Sequence, residues 1–466
     1  MENTQYAKGF LPYGAAALLV GLVGGFSAVL GPAFVKDLGI DYNNTTWTAL
    51  ATAMSTAALA PIMGKLADAA GRRKMLLTGV AIYTLGNALT ALAPNLVFML
   101  LARLVAGAGT AAIAPVVMAY ILTEFPGDQI AKGFSMYMLI SSGSVVIGPT
   151  VGSWIISIWG WRTMIWICTA LSAGIYAYCA AFREENVAKK DALAGFDAAG
   201  AALVVVFFSL ALCIPSFGQN FGWDSALFRA VFLAAAISLV GLAAVERSAG
   251  NPILPIAVLK QRTFLFSVLA LFLTQGLMQA NMTNTIIFVE YIQPGNTVVS
   301  GFAISVMYIG MALGAVALGP LADKYEPRHI LTCSLTVTAA GCASMLLFSE
   351  NASVFLLMLS LGLLGFGLGA NGAIFMKVVL SGIPQQMAGA GTGTYGLFRD
   401  LAAPFGVAVL VPLFTNGVTD RIRQGLEAAD AAVRSVRSLA VVEVISVVAG
   451  ILVVQLLPGI RKKAAE

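Results

Sequence analysis

Charged side chains are scarce in this sequence. They make up 11% of its 466 residues, whereas 59% of the residues are hydrophobic. Soluble domains carry about 25% charged residues, so a water-facing surface of ordinary composition is excluded. The single histidine, His329, and five cysteines that all fall inside apolar blocks argue against a metal centre, and we expect no cofactor.

The patterns of an enzyme are also missing. The sequence has no nucleophile paired with a base, no phosphate-binding loop and no soluble catalytic stretch. Its net charge of +5 arises mainly between the apolar blocks, where it bears on membrane orientation rather than on nucleic acid. We therefore expect neither an enzyme nor a nucleic-acid-binding protein.

What the sequence has instead is a series of long apolar blocks. A helix needs about 20 apolar residues to cross the hydrocarbon core, and a helix satisfies every backbone group within its own segment. The first block is too long for a signal-peptide core, so we interpret it as a span. We predict an all-α membrane protein with fourteen spans, at residues 10–35, 46–66, 75–93, 97–121, 134–158, 162–182, 198–217, 226–246, 264–288, 300–321, 330–348, 354–378, 388–414 and 438–458.

Lysine and arginine are concentrated in alternating loops and in the tail, around residues 65–74, 183–190, 247–262 and 461–463. This asymmetry places both termini in the cytoplasm of a multi-pass protein of the cell membrane. The loop 415–437 is an exception, because it carries four arginines on the predicted outer side.

A short motif occurs twice. Gly64-Lys-Leu-Ala-Asp68 follows the second span, and Gly319-Pro-Leu-Ala-Asp323 follows the tenth. Removing the two middle spans makes each copy part of the second helix of a six-helix half. We therefore predict an N-terminal six-helix bundle at 1–182, a linker with two extra spans at 183–262, and a C-terminal six-helix bundle at 263–466. Two such halves suit alternating access to a substrate site between them.

The longer stretch from Gly64 to Lys74 resembles the cytoplasmic signature of the major facilitator superfamily. The resemblance implies a conformational latch on the cytoplasmic side, formed by Gly64, Asp68, Gly71, Arg72 and Arg73 with Asp323 of the second copy. The second copy departs from the pattern after Asp323, so its part of the latch is expected to be weaker.

Two further stretches resemble motifs of the same family. Arg103, within residues 100–109, matches the fourth-helix motif, whose arginine is implicated in proton coupling; a structural ion pair is the alternative. Residues 143–152 resemble the fifth-helix motif of antiporters, and their small residues favour close helix packing as much as a directional role. The packing residues are Gly143, Gly148, Pro149 and Gly152.

The overall pattern is similar to two narrower groups. The inserted pair of helices is typical of the fourteen-helix drug–proton antiporters, although residues 24–34 lack the acidic residue that those usually carry in the first span. The stretches 25–47, 213–220, 274–285 and 391–407 resemble the bile-acid-inducible transporters of bile-acid-transforming bacteria. That resemblance implies proton-driven import of bile acids.

Polar residues in two late helices are the candidates for substrate contact. Amides at Gln275, Gln279, Asn281 and Asn284 either line a cavity or join helices. In the eleventh core helix, Arg399 is predicted near mid-membrane and offers its guanidinium to a substrate anion, or else it pairs with an acidic side chain. Thr392 and Tyr395 complete the predicted substrate-binding residues.

Carboxyl groups in or near the spans are the candidates for proton coupling. Glu443 lies in the last predicted span, where burying an unpaired charge is costly and favours the protonated carboxyl. Asp400 and Glu290 come next, together with Arg103. The alternative for Glu443 is a permanently neutral carboxyl bonded to a neighbour.

The leading hypothesis is a monomeric, proton-coupled importer of amphipathic organic anions, embedded in the lipid bilayer. The resemblance to the bile-acid-inducible transporters implies that these anions are bile acids. An exporter of drugs or other amphipaths by proton antiport is the main alternative. A membrane-embedded enzyme or receptor is a remote one.

Overall fold

A computed structural model describes residues 2–27, 29–40, 42–125, 130–182, 197–248, 256–349, 354–383 and 388–457. These residues form α-helices, one short 3-10 turn and connecting turns, with no strand among them, which confirms the predicted all-α class. The first eight helices are α1 Glu2–Ser27, α2 Gly31–Leu38, α3 Tyr42–Ala70, α4 Arg72–Ala91, α5 Leu96–Glu124, α6 Ile130–Ala181, α7 Ala198–Phe221 and α8 Ala226–Ser248.

The remaining helices are α9 Ile256–Leu259, α10 Arg262–Ile292, α11 Thr297–Leu318, α12 Leu321–Lys324, α13 Pro327–Ser344, α14 Val354–Leu368, α15 Asn371–Ser381, α16 Ala388–Arg423 and α17 Ala428–Gln455. The 3-10 turn Met345–Leu347 follows α13 directly.

The chain forms two compact units. Unit 1 comprises Met1–Ile214 and Ala226–Asn251, and unit 2 comprises Pro215–Ser225 and Pro252–Glu466. This division groups α8 with unit 1. The predicted middle segment, 183–262, stays a prediction, and its residues 183–196 and 249–255 lie outside the described part of the chain.

The helix pairing of unit 1 recurs in unit 2. In unit 1, α1 packs on α6, α3 packs on α5, and α4 packs on both α5 and α6. In unit 2, α10 packs on α16, α11 packs on α14, and α13 packs on both α14 and α17. The repeated pairing is consistent with the internal duplication indicated by the two short motifs.

A glycine pair brings two helices together in each unit. A Cβ added to Gly148 of α6 would lie 2.6 Å from the Cα of Gly25 in α1. In unit 2, a Cβ added to Gly406 of α16 would lie 2.3 Å from the Cα of Gly276 in α10. Without side chains at these positions the backbones approach closely, as small residues allow in membrane bundles.

Ten helices in the described part of the chain are long and apolar enough to cross a membrane. Helix α6 counts once among them, although it covers two predicted spans, 134–158 and 162–182, on either side of a backbone break at Gly160 with φ +79°. Helices α3 and α4 occupy the predicted spans 46–66 and 75–93 but fall outside the ten. The figure of fourteen therefore stays a prediction.

Two predicted boundaries are wrong. The first span, 10–35, is interrupted, because α1 ends at Ser27 and α2 begins only at Gly31. The loop 415–437 is almost entirely helical, since α16 continues to Arg423 and α17 begins at Ala428. Its charged residues pair along the helices instead of marking a loop, as in the 3.0 Å ion pair between Arg434 and Asp430 four positions away.

We predict that Gly148→Ala and Gly406→Ala destabilise the protein, because each new Cβ meets backbone atoms of the facing helix. Overpacking of this kind costs about 1–3 kcal/mol. Gly174→Ala in α6 and Gly396→Ala in α16 are matched controls, since an added Cβ has no neighbour within 4 Å at either position. Thermal unfolding of the purified variants in detergent measures the effect. Equal melting temperatures for Gly148→Ala and Gly174→Ala would contradict the close contact.

Candidate functional site

A buried carboxyl lies at the junction of three helices in unit 2. Glu443 of α17 is 0% exposed. Asn281 of α10 donates its Nδ2 to Oε1 of Glu443 over 2.8 Å. The thiol of Cys342, at the end of α13, interacts with the same carboxyl. We call Glu443, Asn281 and Cys342 the carboxyl cluster.

The amide of Asn281 fixes which carboxyl oxygen is an acceptor. Its Nδ2 group has two hydrogens, one donated to Glu443 and the other to the backbone oxygen of Leu277 at 3.0 Å. An NH2 group only donates, so Oε1 of Glu443 must accept. Among the described residues, Oε2 has no hydrogen-bond partner and no lysine or arginine pairs with the carboxyl. A proton can therefore bind Oε2 without disturbing the bond from Asn281.

The amides of α10 do not form one continuous lining. Positions two apart on an α-helix point about 200° from each other, so Gln279 and Asn281 lie on nearly opposite faces. Gln275 and Gln279 are half-buried, whereas Asn281 and Asn284 are 3% exposed. The side-chain amide of Asn284 has no partner among the described residues. The asparagine face belongs to the interior of unit 2, which leaves the two glutamines as the more accessible pair.

Helix α16 supplies the predicted arginine. Arg399 is half-buried and interacts with neighbouring groups. Tyr395 is fully buried, and its hydroxyl donates to the backbone oxygen of Gly372 at 3.1 Å. This contact ties α16 to the start of α15, a packing role that differs from the predicted substrate contact. The side chains of Thr392 and Asp400 lie outside the described residues.

An aromatic cluster forms where α10 meets α16, which the sequence did not indicate. The ring of Phe398 lies 5.9 Å from that of Phe264 and 6.3 Å from that of Phe272. Phe405 lies 5.6 Å from Phe272. Phe398 of this cluster immediately precedes Arg399 in the sequence. Phe272 lies three positions before Gln275, so these two side chains share a face of α10.

Glu290 lies near the end of α10. Both of its carboxylate oxygens accept from the backbone N–H of Gly295 at 3.3 Å. The side chain thus stabilises the turn between α10 and α11.

Arg103 lies in the interior of unit 1. It is 5% exposed, its Nη1 donates to Oγ of Ser27 at 3.4 Å, and its guanidinium lies 5.9 Å from the ring centre of Phe34. No carboxylate of the described residues is within salt-bridge distance of it, and Nε has no partner among them. The structural ion pair considered as an alternative is therefore not formed within this part of the chain.

The motif at residues 64–74 joins helices of unit 1. Gly71 has φ +91°, a conformation that favours glycine, and it precedes α4. Arg72 pairs with Glu124 of α5 at 2.8 Å and also contacts Thr123. Arg73 donates to the backbone oxygens of Phe182 at 3.1 Å and Ala180 at 2.9 Å, where α6 ends. These arginines hold the ends of α4, α5 and α6 together.

The other motif positions are partly described. A Cβ added to Gly64 would lie 3.6 Å from Pro115 of α5, which is an ordinary contact. The side chains of Asp68 and Asp323 lie outside the described residues, so the predicted latch stays a prediction.

The fifth-helix motif lies along the contact between α6 and α1. A Cβ added to Gly152 would lie 3.1 Å from the ring of Phe26, whereas one added to Gly143 would have no neighbour within 4 Å. Pro149 lies inside α6. The described geometry brings Gly148 and Gly152, but not Gly143, against another helix.

Comparison with known proteins gives a consistent result. The family model described as Major Facilitator Superfamily matches residues 13–407 and 271–457. The multidrug transporter protein MdtP of Bacillus subtilis is 28% identical, with 87% of this chain and 75% of that protein covered. The puromycin resistance protein pur8 of Streptomyces alboniger is 27% identical, with 86% and 80% covered.

Solved structures share the fold at low sequence identity. The inward-facing, unoccupied bacterial homolog of the human lysosomal transporter Spinster has a TM-score of 0.66 and 12% identity, with 97% of each chain covered. The inward-open xylose transporter XylE from E. coli has a TM-score of 0.64 and 11% identity, with 98% of each chain covered. At these identities the likeness concerns the fold alone.

We predict that Asn281→Ala lowers stability by about 1–3 kcal/mol, because the buried carboxyl of Glu443 loses its donor. Glu443→Gln should cost less, since its amide oxygen still accepts from Asn281. In the double variant the two costs should not add, giving a coupling of about 1 kcal/mol or more. Thermal or denaturant unfolding of the four proteins measures this cycle. Strict additivity would contradict the hydrogen bond.

Proposed function

Given that this chain belongs to the Major Facilitator Superfamily and is a multi-span membrane transporter rather than an enzyme, we propose that it imports bile acids by proton-coupled alternating access. Bile acids are amphipathic steroid carboxylates, so the substrate class joins a large apolar body to one anionic group. The proposal includes fourteen spans, cytoplasmic termini and a monomeric transporter.

The observation that carries proton coupling is the carboxyl cluster. Glu443 is sealed from solvent, has no ion-pair partner among the described residues, and keeps Oε2 unoccupied by other donors. A carboxyl in this setting suits reversible binding of a proton, because the neutral form avoids an unpaired buried charge. Asp400 and Glu290 are second candidates, although Glu290 already stabilises a turn.

Two features of α10 and α16 support an amphipathic anion as substrate. Arg399 provides a cation suited to a carboxylate or sulfonate. Next to it in the chain, Phe398 joins the aromatic cluster, which can pack against an apolar body. We assign Gln275 and Gln279 as polar contacts of the substrate, since they are half-buried on the Phe272 side of α10. The sequence resemblance to bile-acid-inducible transporters points to the same class.

Drug export by proton antiport is the second candidate. It is favoured by the names of the relatives, which include a multidrug transporter and a puromycin resistance protein. The fifth-helix packing motif, with Gly148 against Gly25, is also typical of antiporters. Both candidates use the carboxyl cluster for protons, and they differ in substrate and direction.

We expect cells producing this chain to accumulate labelled cholate, and a protonophore to abolish that accumulation. Cells producing Glu443→Gln at the same level should lose the response to an imposed pH gradient, because the amide cannot carry the proton. Import that ignores the protonophore in the parent protein would refute proton coupling. Less cholate than in control cells, restored by the protonophore, would establish export instead.

We further expect Arg399→Gln to weaken cholate binding by about tenfold or more, because one charge-assisted bond of about 1.5–3 kcal/mol is lost. Arg399→Lys keeps the charge and should retain part of the affinity. Arg434→Gln is a matched control at an exposed arginine already paired with Asp430. The measurement is cholate binding to purified protein. Equal affinity for Arg399→Gln and the parent would remove Arg399 from the substrate site.

A further inference from the structure

Arg103 is a buried cation that the proposed function leaves unexplained. It lies in α5, within the apolar segment Leu96–Ile121, and only 5% of its surface is exposed. A guanidinium remains charged under all ordinary conditions. A charge at such a position is expensive unless an opposite charge or strong acceptors surround it.

The groups around Arg103 do not supply that opposite charge. Its contacts are the hydroxyl of Ser27 in α1 and the phenyl ring of Phe34 in α2. The phenol of Tyr83 in α4 and the thiol of Cys168 in α6 are near enough to interact with it electrostatically. In the described part of the chain no carboxylate pairs with the guanidinium, and Nε is sealed without any acceptor. The acceptor of its hydrogen bond, Oγ of Ser27, is 3.4 Å away and neutral.

We propose that Arg103 is the centre of a binding site inside unit 1 for a small, weakly hydrated monovalent anion, a halide ion. The donors in place match this chemistry. The guanidinium offers several N–H groups in one plane, and the hydroxyl of Ser27 can turn its hydrogen toward an anion. The ring of Phe34 supplies an apolar wall, which favours a weakly hydrated anion over a strongly hydrated dianion.

The site is independent of the proposed substrate and direction, because it lies within unit 1 and needs no group of the carboxyl cluster. It also gives Arg103 a role other than carrying a proton, which a guanidinium does not release. The anion neutralises the cation and joins α1 and α5 around it.

The test measures the melting temperature of the purified full-length protein at constant ionic strength, while sodium chloride or bromide replaces sodium gluconate. We expect the melting temperature to rise with the logarithm of the halide concentration above the dissociation constant, by about 3 °C at a hundredfold excess. Arg103→Gln should abolish the rise, and Arg103→Lys should retain part of it. Arg434→Gln, at an exposed arginine of unit 2, should behave like the parent protein.

Acetate and cholate test whether the site takes a halide ion rather than a carboxylate. Stabilisation by chloride and bromide, and by neither carboxylate, would support the halide site. Stabilisation by acetate or cholate, but not by the uncharged methyl ester of cholate, in the parent and not in Arg103→Gln would overturn it.

A second measurement avoids the risk that Arg103→Gln fails to fold. Crystals of the parent protein soaked in bromide should give an anomalous difference peak at the guanidinium of Arg103. The absence of that peak, together with melting temperatures that no anion changes, would overturn the proposal. An equal anion response in Arg103→Gln would overturn it as well.

Discussion

A charge buried in a hydrocarbon-embedded bundle needs a partner, because neither water nor lipid supplies one. Two buried ionisable side chains of this protein are subject to this constraint. Glu443 is a buried acid without a cation in the described structure, and Arg103 is a buried base without an acid. The acid can be neutralised by a proton, whereas the guanidinium keeps its charge and requires an anion. The same physical requirement therefore underlies both proposals, a proton for Glu443 in unit 2 and an anion for Arg103 in unit 1.

Close helix packing gives these groups their surroundings. In each unit a pair of facing glycines lets two helices approach without intervening side chains, Gly25 with Gly148 in one and Gly276 with Gly406 in the other. The second pair fixes α10 against α16, while another face of α10 carries Asn281 toward Glu443. The repeated pairing gives both units the same framework, while their buried ionisable groups differ, an arginine in unit 1 and a glutamate in unit 2.

Two kinds of observation bear on the choice between import and export: the names of related proteins and the residues of unit 2. The names of the relatives, a multidrug transporter and a puromycin resistance protein, favour drug export. Arg399 and the aromatic cluster are instead the basis for proposing an amphipathic anion as the substrate. A carboxyl that binds a proton is compatible with import and with export. Coupling requires only that the movement of the proton and that of the substrate are linked, and it does not decide their direction. Direction is then a matter of gradients and of which state each ligand favours.

The sequence by itself determined the class of protein: scarce charge and repeated apolar blocks require membrane-spanning helices, and the motif at Gly64–Lys74 indicates the family. It also identified Glu443, Arg103 and Arg399 as candidates, because an ionisable residue within an apolar block stands out in the sequence alone.

Only the tertiary structure decided which groups surround them. Asn281 and Glu443 are 162 positions apart in the chain, and no local periodicity links them. Likewise, the charged composition of residues 415–437 predicts a loop, whereas in the structure α16 and α17 cover almost all of this stretch. The partner of a buried group depends on which faces of two helices pack together. Those helices can be far apart in the sequence, so the partner cannot be predicted from the order of residues alone.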